Sequence, residues 1–275
     1  MGIATLVGIP GVANTGGVDY DPATDTILRD VDRATWWDTE FKAVEVFNDS
    51  SFEENKQNAG RIHAGGDFSD VIGTVDDWFG LLNSSERNGV FAVGSSDSHS
   101  IMAGSPVGYP RTCLFVDTDD PQALRADPNT PQRIKGLVRT GRAIINGGMY
   151  VTASALSGEG PGQTVTSNGP YMINVAVQAP LWVRNVELIE MWVSTAGVVS
   201  STPIVTNPDP DLDNGAVLRY SQPVLVPSDA DWVIFHARGA YDPTIESRSD
   251  QLQTLAPVHP GRLPFGVTNP IFFQP

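Results

Sequence analysis

At 275 residues the chain is long enough to bury a substantial core and to carry two domains. Its formal charge of −15 argues against a nucleic-acid partner, because a phosphate backbone would meet repulsion with no basic patch to offset it. High Pro (21) and Gly (27) favour turns and short strands over a helical bundle, and no apolar run approaches the ~18 residues that a membrane helix needs.

Residues 3 to 9 read as a short strand, and residues 10 to 17 as a Gly-rich loop. Asp19, Asp21 and Asp25 lack the Gly that a calcium loop requires and read as a solvated turn. Residues 26 to 39, with Trp36 and Trp37, predict a short helix. The run from Ala43 to Asn48 predicts a strand, followed by a polar stretch that contains His63. Val75, Trp78, Phe79, Leu81 and Leu82 then fall at helical spacing behind Thr74, with Asp76 and Asp77 in the first turn. That helix should stop near Asn88-Gly89 and feed a buried strand at Val90 to Val93. The strand ends at Gly94 and releases Asp97 and His99, two apart. A carboxylate and an imidazole so placed can reach one metal ion; a bare Asp-x-His is also a common surface turn.

Further on, residues 112 to 116 predict a strand in which Cys113 is a buried thiol. As the only cysteine it forms no intramolecular disulfide and leaves the compartment open. Residues 131 to 140 predict a helix with Arg133, Lys135 and Arg139 facing solvent. From about Met149 the pattern changes to short alternating stretches separated by Gly, Pro, Asn and Asp, which read as a β-sandwich. His236, inside one such stretch, reads as a core or face-lining histidine. Asp209, Asp211 and Asp213 before Asn214-Gly215 read as an acidic hairpin turn.

Four passages, in this order, resemble the PHP (polymerase and histidinol phosphatase) superfamily of metal-dependent phosphoesterases, and more narrowly its CehA/McbA-type members. They are Ala43-Val-Glu-Val-Phe-Asn48; Asp77-Trp-Phe-Gly-Leu-Leu-Asn83 running into Val93-Gly-Ser-Ser-Asp-Ser-His99; Gly108-Tyr-Pro-Arg-Thr112; and Thr140-Gly-Arg-Ala-Ile-Ile-Asn-Gly147. The tail Val267-Thr-Asn-Pro-Ile271 resembles the last strand of the family's sandwich domain. The resemblance implies an α/β plus all-β architecture: a partial, distorted β/α barrel over residues 1–146, then a β-sandwich over residues 147–275. It implies a hydrolase acting on a small-molecule phosphoester, carbamate or related ester. The cofactor would be a divalent metal (Zn, Mn or Fe, up to three in the family) that polarises the scissile group and acidifies a bound water. Asp97 and His99 match the family's final metal motif, Arg111 matches a Pro-Arg-Thr pattern whose cation is a candidate anion binder, and His63 is a speculative third ligand.

The departures are as informative. The family's opening His-x-His, its further His, Asp and Glu ligands, and its later His-Pro have no counterpart here. Two ligands do not make a catalytic zinc site, which ordinarily takes three. Two readings stay open: a piece of a longer chain whose earlier strands hold the missing ligands, or a site that has lost them. The shortness of residues 1 to 39 favours the first. Apart from hydrolysis, the chain could be a non-catalytic module that presents Trp182, Trp192 and Trp232 to a carbohydrate or protein partner. Acidity suits a soluble protein, with periplasm or secretion among the compatible places, and self-association is open.

Overall fold

The computed structural model describes residues 4–5, 20–21, 26–27, 42–48, 74–83, 90–96, 108–180, 183–205, 217–241 and 264–274. Within them the chain runs β1 (Ala4–Thr5), β2 (Tyr20–Asp21), β3 (Thr26–Ile27), β4 (Ala43–Asn48), α1 (Thr74–Asn83), β5 (Phe91–Ser95) and β6 (Arg111–Leu114). Next come α2 (Pro121–Ala126), α3 (Thr130–Arg139), β7 (Ala143–Gly147), β8 (Tyr150–Ala155), β9 (Thr164–Thr166) and β10 (Tyr171–Gln178). The remaining strands are β11 (Val183–Thr195), β12 (Val198–Val205), β13 (Leu218–Val226), β14 (Trp232–Tyr241), β15 (Phe265–Thr268) and β16 (Ile271–Gln274).

β14 explains the layering. Val233, Phe235 and Ala237 project to one side and Trp232 and Ile234 to the other, and all five are buried. A strand with two apolar faces must be covered on both. Its sheet, ordered β12-β11-β14-β15-β7-β6 with β16 and β9 attached, is therefore a middle layer. On one face it meets the antiparallel sheet β13-β10-β8, where Val151, Ile173, Val175 and Val226 pack against Ile189, Val233, Phe235 and Phe273. On the other face Trp192, Trp232, Ile234, Phe265 and Val267 pack against Val44, Val46, Trp78, Phe79 and Leu81 of β4 and α1.

α1 forms where the 3.6-residue spacing puts Val75, Trp78, Phe79, Leu81 and Leu82 on one buried stripe. Burying each such side chain stabilises the fold by roughly 1.5–3 kcal/mol. Phe79 lies between Trp192 and Trp232, at centroid distances of 5.9 and 5.2 Å. Trp78 Nε1 donates to Val90 O at 3.0 Å, which ties the helix to the start of β5. Asn83 closes the other end: its Oδ1 accepts from Ser194 Oγ (2.9 Å) and Trp232 Nε1 (2.8 Å), and its Nδ2 donates to Gly197 O (3.0 Å). That last contact reaches the β11–β12 hairpin, whose turn places Ala196 at φ 51° and Gly197 at φ 80°.

The expected β/α barrel is corrected by these elements. Among the described residues strand predominates, and the sheets are mostly antiparallel. Among the described residues, successive parallel strands are found at β1, β4 and β5, and one further parallel pair joins β16 to β9. The next strands, β6 and β7, pair antiparallel with each other, and β7 joins the middle sheet through β15. The physical cause lies at the outer edge of β5. In a barrel the backbone groups of Ala92 and Gly94 would face another parallel strand. Here two side chains take them. Asn269 Oδ1 accepts from Ala92 N at 2.8 Å, while Asn269 Nδ2 donates to Ala92 O at 3.0 Å and Ala143 O at 3.2 Å. Thr112 Oγ1 accepts from Gly94 N and donates to Gly94 O, both at 2.8 Å. An edge saturated in this way accepts no further strand. The strand–helix–strand periodicity over residues 43 to 95 is shared by both architectures and does not discriminate between them.

Other expectations land as follows. The helix expected from residue 131 is α3, Thr130–Arg139, in which Arg133 and Lys135 are exposed and Arg139 half-buried. The helix expected over residues 26 to 39 begins instead as β3, paired with β2, and Trp36 and Trp37 lie outside the described residues. So do Asp209, Asp211 and Asp213. Among the described residues no helix is long and apolar enough to cross a membrane.

The edge seal generates a sharp expectation. Asn269→Asp keeps the shape but turns a donor into an acceptor facing the carbonyls of Ala92 and Ala143. It should destabilise the protein by about 3 kcal/mol, since buried unpaired polar groups cost roughly 1–3 kcal/mol each. Urea unfolding checks this, and a midpoint equal to that of the unsubstituted protein would show that the carboxamide does not hold the edge.

Candidate functional site

The site is built on the C-terminal end of β5. Val90 and Ala92 are fully buried, so the strand is anchored in the second core before it delivers its last residues. β4 pairs with it in parallel, setting Glu45 beside Val93 and Asn48 beside Ser95, with an irregularity between Glu45 and Phe47. Gly94 is required by a close approach: a Cβ there would lie 2.7 Å from Ile145 Cγ2 and 3.4 Å from Phe47 O. β5 thus rests directly on β7 and is held on both edges, by a strand on one and by Thr112 and Asn269 on the other.

The half-buried face of β5 opens on a cavity of about 520 Å³ lined by Glu45, Gly94, Ser95, Thr112, Val138 and neighbours. Ser95 Oγ donates to Glu45 Oε1, so the carboxylate is held at the cavity wall. Thr112 and Leu114 of β6 share this face, and α3 contributes Val138. The wall is therefore one carboxylate and two hydroxyls among aliphatic groups, a surface that accepts a cation or a polar ligand on one side only.

Ser96 is the last described residue of this segment, and Asp97 and His99 lie outside the described residues, as does His63. Arg111 is described and exposed: alternation along β6 turns it to the face opposite Thr112, and its Nη2 donates to Asn146 Oδ1 at 3.4 Å. Asn146 Oδ1 also accepts from Gly148 N at 2.8 Å. Before Arg111, the Tyr109–Pro110 peptide is cis, and Tyr109 packs edge-on against Phe265 at 5.9 Å. Cys113 is half-buried rather than fully enclosed. Tyr150 has its phenol pushed above the usual range, first by burial and then by the charge on Cys113.

Elsewhere the middle sheet carries a buried, hydrogen-bonded His–Glu pair. His236 and Glu190 face each other across β14 and β11, with Nδ1 2.6 Å from Glu190 Oε1, at 1% and 3% side-chain exposure. Trp192 and Trp232, at 3% and 1% exposure, belong to the core and present no surface platform; Trp182 lies outside the described residues. Among the described residues no three His, Cys, Asp or Glu side chains gather closely enough to hold a metal.

Sequence reasoning missed Glu45, Ser95 and Thr112 at the cavity and the Glu190 partner of His236. Alternation along Ala43–Asn48 separates Glu45 from Val44 and Val46, a signal that the strand has one face bearing a carboxylate. Nothing in the pattern signals which strand lies opposite Glu190. The chain matches no known family model, no curated protein and no solved structure.

Thr112→Val should speed amide exchange at Gly94 at least tenfold and destabilise the protein by about 1–3 kcal/mol, because both backbone groups of Gly94 lose their partner. Thr112→Ser, which keeps the hydroxyl, should restore most of both. Equal exchange rates at Gly94 in the valine variant and the unsubstituted protein would show that the hydroxyl does not seal the edge.

Proposed function

We propose that this protein is a metal-dependent hydrolase of the PHP type, acting on a phosphoester, carbamate or related ester, with Asp97 and His99 as metal ligands. The barrel of that family is no part of the proposal; what carries over is the Asp-x-His and its position. The supporting observation is the anchoring of β5. The backbone is held to Ser95 by β4 on one edge and to Gly94 by Asn269 and Thr112 on the other, shortly before the two candidate ligands in sequence. A strand end fixed in this way limits the freedom that a ligand pair must lose on binding an ion.

The donor chemistry fits a divalent transition metal. Carboxylate oxygen and imidazole nitrogen suit zinc, manganese or iron, and Glu45 stands as a carboxylate at the cavity on the C-terminal end of β5. A bound divalent ion supplies Lewis acidity toward a phosphoryl or acyl oxygen and acidifies a coordinated water. The chain's own part is positional. Ser95 orients the Glu45 carboxylate, and the aliphatic wall from Val93, Leu114 and Val138 limits water on one side.

With Mn²⁺ or Zn²⁺ supplied, the purified protein should release nitrophenolate from a chromogenic phosphodiester. Asp97→Ala and His99→Ala should each lower kcat/KM by about 100-fold or more, in line with removal of a metal ligand. Hydrolysis that survives both substitutions unchanged would count against the site.

A further inference from the structure

We infer that a second cavity, between the end of α1, the β11–β12 turn and the β16–β9 pair, binds a neutral saccharide. Phe91 at the start of β5 lines it, whereas the Glu45 cavity opens at the other end of that strand. The inference does not depend on the hydrolase reading.

The cavity exists because one row of the middle sheet outruns its cover. Ser194, Trp232, Phe272 and Thr164 lie side by side across β11, β14, β16 and β9, and directly opposed residues share a face. α1 closes the first half of this row. Phe79 lies 5.2 Å from Trp232, and Asn83 Oδ1 accepts from Ser194 Oγ and Trp232 Nε1. Past the helix, Phe272 packs nearly perpendicular to Phe91 at 6.2 Å and stays half-buried, and Thr164 is exposed. The space left is about 660 Å³, a size that suits a small molecule. Trp232 remains a core residue, and Phe272 is the aromatic surface open to a ligand.

The polar groups around this space select the ligand. Asp231 is exposed; its Oδ2 takes the bonds from Ser194 Oγ and Gly197 N, which leaves Oδ1 to accept from a ligand. Asn83 Nδ2 gives one hydrogen to Gly197 O and keeps the other. Thr164 and the exposed Gln274 add a hydroxyl and a carboxamide from the β9–β16 side. None of the described residues that line the cavity is basic, so an anion would meet Asp231 uncompensated. An ammonium group donates and never accepts, and would leave the donors of Asn83 and Gln274 unmatched. A sugar hydroxyl does both. Its ring also has an apolar C–H face for Phe272. The hydrogen bonds that hold Asn83 and Asp231 fix two of the contacts before a ligand arrives.

The full ¹⁵N-labelled chain can be titrated with glucose, galactose, mannose, N-acetylglucosamine, cellobiose and maltose, and with tetramethylammonium as the cationic comparison. At least one of these sugars should shift the backbone amides of Thr164, Gly197 and Phe273 along a single saturating curve, and tetramethylammonium should not. Thr164→Ala and Gln274→Ala change exposed side chains and leave the fold intact; each should weaken that sugar by about 5-fold, and Asp231→Asn by about 10-fold or more, as the loss of a bond to a charged group requires. The inference is overturned if none of the sugars moves these amides, if tetramethylammonium alone moves them, or if all three variants keep full affinity. Each of those results leaves the hydrolase reading to its own test.

Discussion

A single carboxamide joins the β4-α1-β5 unit to the middle sheet. Asn269 reaches Ala92 of β5 in both directions and Ala143 of β7 with its remaining donor. Its neighbour Thr268 turns the other way, its Oγ1 accepting from Phe235 N of β14 at 3.0 Å. Pro270, which has no N–H, separates β15 from β16, and both strands pair with β14 on either side of that break. Thr268 fills the ladder position that the break leaves open. Both side chains are fully buried, where competition from water is absent and each bond is worth most. Three residues thus replace the backbone pairing that two interrupted strands cannot supply.

The same substitution of side chain for strand decides the architecture. β4, α1 and β5 are built as a βαβ unit, with apolar faces and a buried aromatic helix stripe. Such a unit continues into a barrel only if its free edge finds another parallel strand. Here the free edge finds Thr112 and Asn269, and the apolar face finds the middle sheet. The helix packs its Trp78 and Phe79 against a sheet whose other side is already the core of a sandwich.

Much of this was legible in the residues. The spacing from Val75 to Leu82 marked α1, the run from Ala43 to Asn48 marked β4, and the alternation in Tyr171–Gln178 marked β10 with its buried Tyr171, Ile173, Val175 and Val177. Periodicity reports which faces are apolar. It does not report what covers them or which edge meets which, and the barrel expectation failed there. Trp192 and Trp232 show the same limit: as residue types they suit either a ligand platform or a core, and only the position of Phe79 between them decides it. At the site, Asp97 and His99 drew attention because of their spacing. Glu45 did not, because a lone carboxylate in a strand has no signature until its neighbour Ser95 is seen to hold it.

The seal on β5 also has a consequence in time. Asn269 lies 177 residues beyond Ala92. At the usual ribosomal pace of about 5–20 residues per second, roughly 9–35 s separate the synthesis of the strand from that of the side chain that closes its edge. Throughout that interval the outer backbone groups of Ala92 lack the side chain that takes them, although Thr112, 18 residues beyond Gly94, already covers those of Gly94. An unpaired strand edge makes a nascent chain aggregation-prone, and chaperone capture in this window would protect yield.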